Sequence, residues 1–399
     1  MSAYRFDAPD FSLHNVRAVL PDRIVEDAVV VVEDGCIADV RERTHGRPSG
    51  SIDGHGSFCL PGLVDCHSDG LEKEISPRPN VVLPVDFALR SYEARVRSAG
   101  VTTLYHGIGY QNGTRHSRTI ERAEAMVTAL HNRRVEHDAL VDHRILYRLD
   151  ARYPEGYAAL GSRFAVGMGP LEPCPYVSYE DHTPGQGQYK DAATYRAWIA
   201  GSDENIGKDP DVELARVISE RDALIEYRAE NLKWLAALAS DKRVRLVCHD
   251  PTSREDIENA LRWPAAVAEF PTTLEAAQAA RDHGMPTVMG SPNVMRGGSH
   301  SGNVSAEELV RRELCTALAS DYQPATMLAA AFQLAERGSA TLPAAVKLVT
   351  TGPATMLGLA DRGTLELGQR ADMMLCHFDG RWPTVRQVWR APSVVLSLV

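Results

Sequence analysis

The 399-residue chain is 44% hydrophobic and 24% charged, a globular composition with room for a barrel of about 250 residues plus a smaller unit. Its formal charge of -10 argues against nucleic acid, whose phosphates demand a basic surface, but leaves room for a small anionic substrate held by a few local cations. No apolar run is long enough to span a bilayer, Met1 to Asp10 lacks the look of a secretory leader, and the seven cysteines form no close pair, so a reducing cytoplasm is expected.

Phe11 to Val40 reads as β structure. Val29-Val30-Val31-Val32 is a strong strand former, Asp34-Gly35 marks a hairpin turn, and Ile37 to Val40 returns as the next strand. Thr44 to Ser51 reads as a polar loop. A matching β pattern reappears at the far end, over Gly363 to Gly368, Ala371 to Cys376 and Thr384 to Trp389. Neither end holds enough strands for a stable sheet alone. The two ends are therefore expected to pair as a small β-sandwich domain over residues 1-59 and 361-399, with a barrel inserted over 60-360.

Within that insert, apolar runs occur at Leu63–His67, Thr102–His106, Arg144–Leu149, Tyr176–Glu180, Arg245–His249, Ala266–Phe270, Thr287–Ser291 and Thr316–Ser320. Helical patterns intervene. Ser117 to Glu136 carries apolar residues at helical spacing, Asp211 to Leu238 reads as one long helix, and Thr273 to His283 opens on Thr272 or Thr273 as its cap. Eight alternations of strand and helix suggest a closed parallel (β/α) barrel of the TIM type, because parallel strands need crossovers. A doubly wound open sheet is the alternative. No glycine-rich phosphate loop follows the first strand to support it.

In a barrel the active site lies at the C-terminal ends of the strands. Those ends carry His67 and Asp69, then His106, Asp150, Asp181 with His182, His249 with Asp250, Glu269, and finally Asp321. Imidazoles and carboxylates gathered in one bowl suit one or two divalent cations, zinc, manganese or iron. His106 reads equally well as a core histidine, and Asp181 and Asp250 as residues that orient a neighbouring ligand. Two loops look built for an anion. One is Asn293-Val294-Met295-Arg296-Gly297-Gly298-Ser299-His300, where glycines expose backbone N–H groups and Arg296 offers a forked donor. The other runs from Asp181 to Lys190, and Pro77-Arg78-Pro79 adds a rigidly held arginine.

Leu60-Pro61-Gly62-Leu63-Val64-Asp65-Cys66-His67 and the closing Gly363-Thr364-Leu365-Glu366-Leu367-Gly368-Gln369-Arg370-Ala371-Asp372 resemble the amidohydrolase superfamily. Further stretches resemble one branch, the phosphonate-metabolism diphosphatases of the carbon–phosphorus lyase pathway. They are His67-Ser68-Asp69 with Pro77-Arg78-Pro79, Asp181-His182-Thr183-Pro184-Gly185-Gln186, Ala268-Glu269-Phe270-Pro271-Thr272-Thr273, Met289-Gly290-Ser291-Pro292-Asn293 running into Arg296 to Asn303, and Ser320-Asp321-Tyr322. That family hydrolyses α-D-ribose 1-methylphosphonate 5-triphosphate to the 5-phosphate and pyrophosphate. The resemblance implies metal ligands at His67, Asp69, His182, His249 and Asp321, with a bridging carboxylate at Asp150, where the family pattern has glutamate. It departs from the pattern at Tyr105 to Tyr110 and at Asp250-Pro251. On the strand assignment above, His182 and His249 fall one strand earlier than the superfamily places them.

These residues imply metal-assisted hydrolysis with Asp321 as general base. Asn293, Arg296, Gly297, Gly298, Ser299 and His300 would hold the polyphosphate, with Arg78 or Lys190 on the phosphonate. A small phosphorylated sugar is the expected partner, with no nucleic acid or membrane, and self-association is compatible with such a barrel. Two other readings stand beside this one. The same centre could cleave a C–N bond of a cyclic amide, an N-acyl compound or an amino-heterocycle, or the chain could be a binding protein on a barrel that has lost its chemistry.

Overall fold

The computed structural model describes residues 10–43, 50–78, 80–112, 118–166, 174–185, 187, 192–201, 207–299 and 302–391. The strands are β1 (Phe11–Val19), β2 (Ile24–Glu33), β3 (Cys36–Glu42), β4 (Ile52–Pro61), β5 (Leu63–Ser68), β6 (Val101–Gly109), β7 (Asp142–Asp150), β8 (Tyr176–Glu180), β9 (Arg245–His249), β10 (Ala265–Glu269), β11 (Thr287–Gly290), β12 (Ala317–Ala319), β13 (Met373–Phe378) and β14 (Pro383–Trp389). They form two sheets. β14-β13-β4-β1-β2-β3 make a mixed sheet drawn from both ends of the chain, and β5 to β12 make a parallel sheet in chain order.

The mixed sheet closes over Leu13, Val16, Val30, Val32, Cys59 and Met373. Asp34 and Gly35 both take left-handed backbone angles, φ 48° and 72°, the tight turn that suits a twisted hairpin between β2 and β3. The Gly363 to Gly368 stretch, expected as β, is instead a turn-rich connection. Both of its glycines have positive φ, 100° and 81°, which breaks extended pairing, and only Leu365 reaches into the sheet's core.

The eight parallel strands coincide with the eight apolar runs, so no strand was merged or missed among the described residues. His182, two residues past β8, and His249, the last residue of β9, belong to the fourth and fifth strands of the barrel. Helices cover the outside, including α1 (Gly70–Ile75), α2 (Val85–Ser98) and α3 (Ile120–Val135). Thr119 caps α3, accepting from Arg122 N at 3.1 Å, and Thr273 caps the helix Leu274–Asp282 by the same device. The long helix expected from Asp211 is two helices, Pro210–Asp222 and Ile225–Ser240. The chain tightens between them, where Leu224 N–H bonds the Arg221 carbonyl three residues back, and no proline or cap in the sequence announces it. No helix among the described residues is long and apolar enough to cross a membrane.

Two details bear on the site. A Cβ on Gly62 would lie 2.4 Å from Thr102 Oγ1, so glycine is what lets the chain pass from β4 into the barrel. The last and first barrel strands meet through the site itself. Asp321 N donates to the His67 carbonyl at 3.0 Å and Asp69 N donates to the Asp321 carbonyl at 2.6 Å.

Candidate metal centre

The barrel seam sets His67, Asp69 and Asp321 side by side. His67 ends its apolar run at the rim of β5, and Asp69 follows immediately before α1. A Cβ on Gly107 of β6 would stand 2.5 Å from Asp69 Oδ1, so that glycine leaves the carboxylate its room. Glu180, His249 and Glu269 are the last residues of β8, β9 and β10. Asp250, Phe270 and Asp321, each the first or second residue after a barrel strand, adopt φ of 52°, 53° and 56°. Left-handed backbone at non-glycine residues is unfavourable, and its concentration on one rim marks the place where the fold re-aims side chains.

Two groups of donors result: His67, Asp69 and Asp321, and Glu180, His182 and His249. His67 Nε2 lies 3.4 Å from Asp69 Oδ1. His249 Nε2 and His182 Nε2 lie 3.5 and 3.7 Å from Asp250 Oδ2, a buried oxygen with no hydrogen-bond partner among the described residues. Donors bound to one ion at about 2.1 Å with tetrahedral angles stand about 3.4 Å apart, so these spacings fit a divalent cation. Glu269 ties the groups together. Its Oε1 meets His67 Nδ1 and its Oε2 meets His249 Nδ1, both at 2.7 Å, while Ser178 Oγ donates to Oε2 at 2.9 Å. Each ring thus turns its other nitrogen inward.

The electrostatics favour positive charge. Burial opposes protonation of His67, yet Glu269 and Asp69 hold its pKa well above the usual histidine value. His249 is raised in the same way, against burial, by Asp250 and Glu269. Burial, together with the Asp69 carboxylate, pushes Asp321 up to about 6. A cavity of about 330 Å³ opens over these groups. Phe270 walls it, edge-on to the His67 and His249 rings at centroid distances of 5.0 and 5.5 Å. Among the described residues, four cations line it: Lys73, Arg118, Arg148 and Arg296.

The structure therefore brings together His67, Asp69, His182, His249 and Asp321, and sets Asn293, Arg296 and Ser299 on the cavity wall. It does not bring Asp150 into either donor group. Asp150 is buried against Arg221, which holds both its oxygens at 2.7 and 2.8 Å, and it caps Arg152 N. Asp181 joins the same cluster through Arg152, Arg221 and Arg228. Glu180, hidden as the last residue of an apolar run, is the carboxylate that joins His182 and His249 instead. Gly297 and Gly298 do not offer their N–H groups to the cavity. They close the helix Ser291–Arg296 on the carbonyls of Val294 and Asn293. Arg78 is exposed and does not line the cavity, and Lys190 and His300 lie outside the described residues. His106 lies within β6, which runs on to Gly109, and its ring meets Tyr92 of α2 and His143 of β7. Sequence reasoning missed Lys73, Arg118 and Arg148, because cations within a helix, a loop and a strand look like ordinary surface charges.

Comparison with known proteins agrees with this geometry. Residues 295–390 match the model of the amidohydrolase family. The chain is 34% identical over 381 residues to alpha-D-ribose 1-methylphosphonate 5-triphosphate diphosphatase of Escherichia coli K12, covering 95% of this chain and 98% of that protein. Among solved structures, the fold is similar to 5-methylcytosine deaminase from Klebsiella pneumoniae, with a TM-score of 0.64, 14% identity and 97% of each chain covered. It is also similar to a Xaa-Pro dipeptidase, with a TM-score of 0.61, 13% identity, and 96% of this chain and 98% of that one covered. By sequence over nearly its full length, the chain belongs to the alpha-D-ribose 1-methylphosphonate 5-triphosphate diphosphatase family of the amidohydrolase superfamily, a group of metal-dependent hydrolases.

Proposed function

We propose that the protein hydrolyses α-D-ribose 1-methylphosphonate 5-triphosphate, or a close analogue, to the 5-phosphate and pyrophosphate. What carries this reading is the meeting, in one cavity, of nitrogen and oxygen donors for a divalent ion with cationic side chains for a polyphosphate, in a chain 34% identical to such an enzyme. The observed donor spacings and the unpartnered Asp250 oxygen fit one or two ions of zinc, manganese or iron, with ligands drawn from His67, Asp69, Asp321, Glu180, His182 and His249. When bound, such an ion acidifies water and offsets phosphate charge.

The chain's own residues supply the rest. Asp321, at the seam between the two ends of the barrel, accepts the proton of the attacking water. Water adds to the phosphorus nearest the sugar, the bond to the bridging oxygen of the second phosphate breaks, and pyrophosphate leaves with the electron pair. Arg296, Asn293 and Ser299 contact the polyphosphate from one wall, with His300 in the same loop. Lys73 and Arg118 face it from the other wall. Lys73 Nζ stands 4.2 Å above the Tyr322 ring, beside Asp321. Arg118 keeps a 2.6 Å pair with Glu72, so Lys73 carries more of the available charge. A cyclic amide or amino-heterocycle would give Lys73 and Arg296 on the cavity wall no charge to neutralise.

The test is pyrophosphate release from the ribose 5-triphosphate bearing a 1-methylphosphonate, with protein reloaded with manganese or zinc. Release that disappears on chelation supports the reading. Absence of release from fully metallated protein overturns it and directs the search to cyclic amides and N-acyl compounds.

A further inference from the structure

Arg148 sits where a second cation would. It lies on β7 and is buried, with 4% of its surface exposed. Its Nη1 donates to both oxygens of Asp69, at 2.7 and 2.6 Å. Its Nε and Nη2 donate to Oε2 of Glu180, at 3.1 and 2.6 Å. Asp69 belongs to one donor group and Glu180 to the other. A guanidinium is permanently charged, and its planar fork is held here at both ends. We propose that Arg148 replaces one of two metal ions: the centre takes a single divalent cation, seated with Glu180, His182, His249 and Asp250, and Arg148 supplies the fixed positive charge on the Asp69 side. This rests on the metal-dependent reading above but not on the substrate.

The two sides differ in what remains for an ion. Asp69 has both oxygens engaged by Arg148. Glu180 has one engaged and keeps Oε1, 3.9 Å from His182 Nδ1. Asp250 is 8% exposed, and its Oδ2 has no hydrogen-bond partner among the described residues. That oxygen points between His249 Nε2 at 3.5 Å and His182 Nε2 at 3.7 Å, distances expected between donors of one ion. An ion on Asp69 would stand against the guanidinium and be repelled by it. In two-ion hydrolases a pair of cations clamps the attacking and leaving oxygens. Here one member of that pair is built into the strand, which leaves His67 and Asp321 free to face the reacting water.

The experiment is a metal count on the full-length protein. Apo protein is loaded with Mn(II), freed of excess, and read by elemental analysis and electron paramagnetic resonance. The expected wild-type result is one Mn(II) per chain with the spectrum of an isolated ion. Arg148→Met is expected to take two, with a spin-coupled spectrum. Two ions in the wild type overturn the proposal. No bound ion at all overturns the metal-dependent reading itself, so the two failures are distinguishable, and neither depends on pyrophosphate release. Should Arg148→Met fail to fold, Asp69→Asn and Asp250→Asn decide the seat. Asp250→Asn is expected to weaken Mn(II) binding about tenfold or more, and Asp69→Asn to keep the ion. Loss of the ion in Asp69→Asn with retention in Asp250→Asn overturns the assignment.

Discussion

Two buried clusters in this molecule are made of the same side chains and do different things. Between β6, β7 and the helices α2 and α3, His106 Nε2 lies 2.9 Å from His143 Nδ1, and His143 Nε2 lies 3.0 Å from Glu93. Arg133 grips the other Glu93 oxygen at 2.7 Å and also reaches Glu136 and Asp138. At the barrel mouth, Glu269 joins His67 and His249, and Arg148 joins Asp69 and Glu180. In the first cluster the carboxylate is consumed by a histidine, an arginine and the Leu140 N–H, and the one ring atom left over is the buried His106 Nδ1. The second holds more donors than it uses, and the surplus faces a cavity of about 330 Å³. Histidine beside carboxylate does not make a metal centre. An excess of donors turned toward open volume does.

The comparison breaks if residues of the two clusters respond alike. The largest effect is expected at the open one. Asp321→Asn should lower kcat for pyrophosphate release about a thousandfold, as loss of a general base does. The Asp321 carboxyl must be ionised to take a proton, and burial with Asp69 pushes its pKa to about 6. A bound cation can only lower that value. The acid limb of the pH–rate profile should therefore lie at or below about 6, with activity lost as pH falls through it.

At the first cluster the effect should appear in stability. Glu93→Gln leaves the buried Arg133 and His143 without their carboxylate and should cost about 3 kcal/mol in a denaturant melt, with Mn(II) content unchanged. Burial works against ionisation of Glu93, but hydrogen bonds from His143 and Arg133 bring its pKa down to about 2 from 4.5. A carboxylate with a depressed pKa stabilises the fold fully above its unfolded value. The gap between wild type and Glu93→Gln should thus be complete above pH 4.5 and close as pH falls toward about 2. Glu269→Gln is the mirror test. Mn(II) affinity should fall about 10- to 100-fold as the two rings lose their orientation. A melt as damaged as that of Glu93→Gln, with the ion still tightly held, would erase the distinction between the clusters.

That distinction was only half legible in the sequence. The eight apolar runs coincide with the barrel strands because burial on both faces leaves an unmistakable apolar signature. The rim residues His67, Asp69, His182, His249 and Asp321 follow from the strands' ends. What a strand pattern does not carry is where a fully buried strand stops. β6 continues three residues past His106, so a histidine read at the rim packs on Tyr92 of α2 and His143 of β7 instead. The same blindness hid Glu180, which extends its apolar run, and favoured Asp150, one strand earlier, which packs on Arg221 from a helix some seventy positions away. Arg148 was invisible for another reason: its partners, Asp69 just after β5 and Glu180 at the end of β8, are far from it in sequence, and only the order of strands in the sheet makes them neighbours.

The smallest expected effect tests the openness of the mouth from the substrate's side. Arg133, in the first cluster, has three carboxylate partners. Lys73 has no carboxylate partner within salt-bridge distance among the described residues, and its ammonium rests on the Tyr322 ring at the cavity wall. A cation left unpaired beside an anion site is available to the anion. Lys73→Met keeps most of the aliphatic stem and removes only the charge, so the packing on Tyr322 should survive. The variant should melt like wild type and lose about tenfold in kcat/KM for the triphosphate, a contact worth about 1.4 kcal/mol. The loss should appear chiefly in KM if the ammonium holds a phosphate throughout, and in kcat if it meets charge that develops on the departing pyrophosphate. Raising the ionic strength should weaken the wild type more than the variant, because an exposed charge is screened and a methionine is not. Equal salt dependence in the two proteins would mean that Lys73 merely props the Tyr322 ring, and that the mouth meets its substrate through Arg296 and its other polar neighbours.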